Sequence, residues 1–147
     1  MKPKIYLAGA IQKAKDPYIW RYKIRDGLES DYDVIIPEDK LNLPPNYSLE
    51  ERQKAIYDDI IFRDIDYTVF CKEFFVKLDP DVFKGAGTVG EITFACYIHK
   101  PITCWFDGMT IQDVPGWVIG CLYGATIVGS TEEAIAHYRA KLGIQKA

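Results

Sequence analysis

The chain has 147 residues, 48% of them hydrophobic and 27% charged, with a formal net charge of −3. This composition excludes a disordered chain and suits one domain, residues 1–147, large enough to bury most of its apolar surface. The acidic balance, without any Lys/Arg-rich run, argues against polymeric nucleic acid as a partner but leaves small ligands open.

Residues 5–8 (IYLA) form a short apolar run ending in Gly9-Ala10, which predicts a buried strand feeding a tight turn. Residues 17–28 place Trp20, Ile24 and Leu28 on one helical face, with Asp16 at the cap and Pro17 in the first turn. Residues 33–37 (DVIIP) predict a second strand, and the polar, proline-rich 38–47 a long loop. Ser48 and Glu51 have the spacing of a capping box. The helix they open is expected to run to about Asp64, with Ile56, Ile60 and Ile61 as its apolar stripe. Residues 67–71 (YTVFC) predict a third strand, and 72–87 a second long loop ending in Lys84-Gly85-Ala86-Gly87. A helix over 88–98, a strand over 101–106 and a strand over 125–128 follow, with residues 107–122 unassigned. Ser130 and Glu133 form a second capping-box signature, opening a last helix to about Leu142.

Strands alternating with helices predict an α/β fold, a three-layer Rossmann- or flavodoxin-like domain with a five-stranded parallel sheet. Ligands in such folds bind at the carboxyl ends of the strands, where both long loops fall. The four cysteines, Cys71, Cys96, Cys104 and Cys121, contain no C-x-x-C pair. They read as free thiols of a reducing compartment, not a disulfide framework or a zinc site. No run is long enough to span a membrane, and the apolar N-terminal stretch is interrupted too early for a signal peptide. A cytoplasmic protein without metal or cofactor is the expectation.

The sharpest chemical signal is Gly85-Ala86-Gly87-Thr88-Val89-Gly90-Glu91 at a loop-to-helix junction. Glycines let backbone approach a ligand, and a helix start favours negative charge. Thr88-x-x-Glu91 is equally a capping box, in which Glu91 serves only the helix backbone. Among Asp58, Asp59, Asp64 and Asp66, the last three suit solvated or terminal helix positions, while Asp58 is a candidate for the ligand edge. Tyr6 suits the core and is also placed to hydrogen-bond a carboxylate at neighbouring strand ends.

Several segments occur in a telling order: Lys4-Ile5-Tyr6-Leu7-Ala8-Gly9, Trp20-Arg21, an acidic helix ending in Asp66-Tyr67-Thr68-Val69-Phe70, and Gly87-Thr88-Val89-Gly90-Glu91 followed by Lys100-Pro101. Across residues 4–106 this set resembles the nucleoside 2-deoxyribosyltransferase family, including the related deoxynucleoside-monophosphate N-glycosidases. The resemblance implies that Glu91 is a nucleophile forming a covalent 2-deoxyribosyl intermediate, that Tyr6 orients it and that Asp58 lies near the substrate. It also implies Gly9, Ala10, Trp20, Gly87 and Thr88 at the substrate. The position where the family often has a base-handling acid is Gly85 here, and the nearest acids upstream are Asp79 and Asp81. A phosphate, where present, would meet Lys13, Lys15 or Arg21. The partners implied are a small nucleoside or nucleotide and a free nucleobase, no membrane, and further copies of the chain in a homo-oligomer. Deoxyribosyl transfer between bases is the leading expectation. Hydrolysis of a (deoxy)nucleoside 5′-monophosphate and a non-catalytic nucleotide-binding module are the alternatives.

Overall fold

In the computed structural model, the residues described are 1–38, 41 and 43–146. Five strands form the sheet: β1 (Lys4–Ala8), β2 (Asp33–Ile35), β3 (Glu73–Leu78), β4 (Ile102–Phe106) and β5 (Thr126–Val128). All pairings are parallel and the order is β2-β1-β3-β4-β5, the flavodoxin-like arrangement. The helices are α1 (Ile19–Leu28), α2 (Leu49–Ile56), α3 (Phe62–Phe70), α4 (Gly87–Tyr97), α5 (Gly116–Cys121) and α6 (Thr131–Lys146). Short 3-10 turns occupy Pro80–Lys84 and Ile111–Asp113, the latter with α5 filling the stretch left unassigned from sequence.

Alternation along the strands builds two cores. Ile5 and Leu7 of β1 point to one face, where they meet Trp20, Ile24 and Leu28 of α1, Phe75 and Tyr138. Tyr6 and Ala8 point to the other, against Phe74, Val76, Ile92, Ala95 and Val118. A parallel sheet covered on both faces is the arrangement that near-continuous apolar strands require.

The third strand is not at 67–71, as the sequence suggested, but at Glu73–Leu78, and residues 67–70 continue a helix. The β-branched and aromatic composition of Tyr67-Thr68-Val69-Phe70 favours a strand in isolation. Tertiary context overrides it. Thr68 satisfies its buried hydroxyl by donating to the Asp64 carbonyl one turn back at 2.8 Å. Lys100 Nζ then closes the helix end by donating to the carbonyls of Val69 (3.0 Å) and Cys71 (2.7 Å). The true strand was masked by Glu73 and Lys77, whose charges read as loop. Glu73 is in fact buried and paired with Lys141 of α6.

Residues 49–70 are helical throughout, but through a π-turn at Tyr57–Ile61 between α2 and α3. The Ser48 capping box forms as expected, with Glu51 N–H donating to Ser48 Oγ at 3.1 Å and Ser48 N–H to the Glu51 carboxylate at 3.2 Å. At α6 Ser130 Oγ accepts from Glu133 N–H at 3.1 Å, whereas the Glu133 carboxylate takes the Gly129 N–H at 2.6 Å. All four cysteines are free thiols. No helix among the described residues is long and apolar enough to cross a membrane.

The core carries several buried weak acids. Burial pushes the Cys104 thiol up to about 12 and the Cys71 thiol up to about 11, from an ordinary 9.0. Burial first, then the Glu73 charge, raises Tyr32 to about 12. Each group is neutral when protonated, and each ionises more easily unfolded than folded. Their contribution is therefore complete below the unfolded values and is lost as pH rises above them. Stability should stay level to about pH 8.5 and then fall by about 1.4 kcal/mol per pH unit for each group titrating only in the unfolded chain. Denaturant titrations between pH 7 and 10.5 check this, and a flat profile across that range would contradict it.

Candidate active site

The strand order reverses between β1 and β3, and ligands in this topology occupy the crevice beyond the carboxyl ends at that point. A cavity of about 600 Å³ lies there, within the size range of small-molecule sites. Gly9 and Ala10, directly after β1, form its floor. One wall is the α2–α3 helix, with Ile56, Ile60, Asp64 and Thr68 recurring every fourth residue. The facing wall is Asp81, Val82, the glycine-rich turn and α4.

Gly9 is required by close approach. A Cβ there would come within 3.0 Å of the Trp20 ring and 3.3 Å of Arg21 Nη2. Gly85, Gly87 and Gly90 differ, because an added Cβ would meet no protein atom within 4 Å at any of them. All three line the cavity, and each has open space where a side chain would begin.

Helix α4 begins at Gly87, with Ala86 at the cap and no side-chain cap bond. Thr88 is thus inside the helix, and Glu91 lies beyond its first turn. The capping-box alternative for Glu91 is not what forms. Its carboxylate instead faces the cavity and accepts a hydrogen bond from Tyr6 Oη, delivered from β1. Register explains the meeting: Tyr6 is central in the sheet, paired with Ile35 on one side and Phe74 on the other. Its ring packs 5.7 Å from Tyr67 and 5.8 Å from Phe74. Burial first, then the nearby charges of Glu91 and Asp64, hold the Tyr6 phenol well above its ordinary 10.0, against a smaller opposing effect of Arg21. Tyr6 therefore remains a neutral donor at physiological pH.

Gly9, Ala10, Gly87, Thr88 and Glu91 all line the cavity, with Tyr6 behind Glu91. Asp58 and Trp20 do not. Asp58 sits in the π-turn, half-exposed, and pairs with Lys54 one turn back. Asp64 lines the cavity instead, mostly buried, with Arg63 Nη2 at 2.8 Å from its carboxylate. On a regular helical wheel Asp64 falls on the face of Ile56 and Ile60, with Asp58 on the opposite side. Trp20 is core, 5.9 Å from the Phe75 ring and 6.2 Å from that of Trp105. Arg21 is fully buried, donating to the carbonyls of Leu7 (3.1 Å), Gly9 (2.9 Å) and Pro17, so it shapes the turn after β1 from inside the protein. Of the three cations considered for a phosphate, Lys13 alone lines the cavity, and neither histidine does. Thr68 and Phe94 are lining residues that the sequence did not single out, and of the two acids upstream of Gly85, Asp81 lines the cavity. Of the C-terminal aromatics, Trp105 and Phe106 pack against the cores, while Trp117 and Tyr123 are strongly exposed.

No family model matches the sequence, and no curated protein sequence matches it. Solved structures do match. A 2-deoxyribosyltransferase of the psychrotolerant bacterium Bacillus psychrosaccharolyticus aligns over 90% of this chain and 90% of its own, with a TM-score of 0.60 and 15% identity. The chain has the fold of a 2-deoxyribosyltransferase. The CMP N-glycosidase of Clostridium botulinum aligns over 94% of this chain and 98% of its own, with a TM-score of 0.51 and 16% identity. A molybdenum cofactor binding protein of the phototrophic bacterium Rippkaea orientalis covers 97% and 98%, with a TM-score of 0.59 and 15% identity. At such identities the likeness is one of fold, and two glycosyl-handling enzymes and a binding protein share it.

Proposed function

We propose that the protein breaks the N-glycosidic bond of a 2-deoxynucleoside and passes the sugar to a second nucleobase. The observation that carries this reading is the Tyr6–Glu91 pair, a carboxylate held by a buried phenol and facing a cavity at the switch point of the sheet. A carboxylate oxygen of Glu91 attacks C1′ while the C1′–N bond breaks. The base leaves with the bonding pair and takes up a proton. A ring nitrogen of the incoming base then attacks C1′, loses its proton, and returns Glu91 as carboxylate. Without a 2′-hydroxyl the developing positive charge at C1′ is less opposed. The fold of the transferase and the N-glycosidase is compatible with this chemistry.

Charge favours a neutral donor. Asp64, Asp81 and Glu91 line the cavity, with Arg63 paired to Asp64 and Lys84 to Asp81. Lys13 is the sole lining cation among the described residues. Hydrolysis of a 5′-monophosphate is the second reading, favoured by the start of α4, whose backbone amides at Gly87 and Thr88 border the cavity and suit an anion. Incubation with a deoxynucleoside, with and without a second base, separates the cases. A new nucleoside formed only with added base supports transfer, and free base from a 5′-monophosphate without acceptor supports hydrolysis. Saturable binding without turnover supports a binding module and overturns both. A homo-oligomer belongs to the same reading, with exposed Trp117 and Tyr123 as contact surface, and sedimentation tests it.

Asp64, which lines the cavity where Asp58 does not, takes in this reading the substrate-side place that the resemblance gave to Asp58. Asp64→Asn is expected to lower kcat/KM about 10-fold, the scale of one charge-assisted hydrogen bond, and Asp58→Asn to leave it within about 2-fold. Equal effects in steady-state assays would refute that assignment.

A further inference from the structure

Lys77, next to last in β3, is outside the cavity lining, yet its side chain is only 14% exposed. Its Nζ lies 3.3 Å from Asp79 Oδ2 and 3.3 Å from Asp107 Oδ2. It also lies 5.7 Å from the centre of the Trp20 ring and 5.2 Å from that of Trp105. Both indoles belong to the core on the far face of the sheet from Tyr6 and Glu91. Confining a lysine between two rings and two carboxylates costs side-chain entropy and solvation, so its consequence must be sought in what it holds.

Asp79 divides its carboxylate between two tasks. Oδ2 meets Lys77, while Oδ1 accepts the backbone N–H of Asp81 at 3.0 Å and of Val82 at 3.2 Å, capping the Pro80–Lys84 turn. Asp81 and Val82 are cavity wall, and the chain continues from them through the glycine-rich turn to Glu91. Asp107 fixes the neighbouring strand end, its N–H donating to the Leu78 carbonyl at 2.8 Å. One ammonium thus joins the ends of β3 and β4 to the cap of the turn that faces the ligand.

We propose that Lys77 is a positioning residue for the donor site, holding Asp79 in the orientation that caps the Pro80–Lys84 turn and so setting where Asp81 and Val82 stand against the substrate. The inference rests on the donor-site reading of the cavity. Without the ammonium, two carboxylates drawn to one cation repel each other. Asp79 swings away, the two amides lose their acceptor, and the wall loosens while the sheet core stays packed.

Lys77→Met tests this, since it keeps the aliphatic stem between the indoles and removes only the charge. The expected result is a donor KM raised about 10-fold with kcat within about 3-fold, the loss of roughly one charged hydrogen bond in binding. Lys77→Arg should recover most of the loss, because guanidinium also pairs with carboxylates and stacks on indole. Hydrogen exchange at the Asp81 and Val82 amides should speed about 10-fold in Lys77→Met, with the β1 and β4 amides unchanged. Asp79→Asn, which breaks the pair from the other side, should raise KM in the same direction. An unchanged KM in both variants, or exchange rising equally across β1 and β4, overturns the proposal. If the wild-type protein cleaves no N-glycoside while Lys77→Met still shows the local exchange pattern, the donor-site reading falls and the hold of Lys77 on the turn stands.

Discussion

Glu91→Gln is expected to lower kcat/KM for a deoxynucleoside by at least about 10³-fold while leaving the melting temperature within about 2 °C. The amide is nearly isosteric and retains a carbonyl oxygen that accepts from Tyr6, so the buried phenol does not lose its partner. What it lacks is the negative charge and lone-pair basicity needed to form a bond to C1′. Stability is spared because Glu91 is not part of a capping box: Ala86 is the cap residue of α4 and makes no side-chain cap bond. Had the Thr88-x-x-Glu91 capping box formed, the same change would have cost little activity and little stability, since glutamine fills that place in the box as well. The two readings thus separate on activity, and a melt checks that the fold is intact. Near-normal turnover in Glu91→Gln removes the nucleophile from the proposal, and accumulation of free base without new nucleoside moves the chemistry to water.

The layered α/β architecture was legible because it rests on long-wavelength features: apolar runs at β1 and β4, and helical stripes at α1 and α4. Strand β3 was not. Its charged residues Glu73 and Lys77 are buried against Lys141 for the first and, for the second, the distant Asp107 together with the nearby Asp79. No local window contains Lys141 or Asp107, whereas Tyr67-Thr68-Val69-Phe70 contains every local preference for a strand. The site shows the same division. Glu91 and the glycine turn were legible as a loop-to-helix junction, and Tyr6 as a core aromatic near strand ends. Asp64 was not, because an aspartate among exposed acidic helix residues reads as solvated surface, although its spacing from Ile56 and Ile60 puts it on the inward face. Arg21 was misread for a related reason. A basic residue on a helix suggests solvent or phosphate, yet it is fully buried on three backbone carbonyls, which only the turn after β1 could have shown.

Tyr6→Phe distinguishes the two chemical steps assigned to Glu91. In the first, negative charge leaves the carboxylate as it bonds to C1′, so a hydrogen bond to that charge weakens in the transition state. In the second, the carboxylate departs and regains charge, and the same hydrogen bond strengthens. A donor fixed on the carboxylate therefore assists release of the sugar more than its capture, by the rule that only interactions stronger in the transition state accelerate a step. Charged hydrogen bonds contribute about 1.5–3 kcal/mol, so steady-state turnover is expected to fall about 10- to 100-fold. Base release in the first turnover should be much less affected, giving a burst and a glycosyl-enzyme visible as an intact-mass increase of one deoxyribosyl group. The wild-type pH profile should carry no alkaline loss from Tyr6 below its ordinary 10.0, since burial and the charges of Glu91 and Asp64 keep it protonated beyond that value. If Tyr6→Phe slows the first turnover as much as the steady state and no mass increase appears, the phenol acts by placing Glu91 for attack and not by easing its departure.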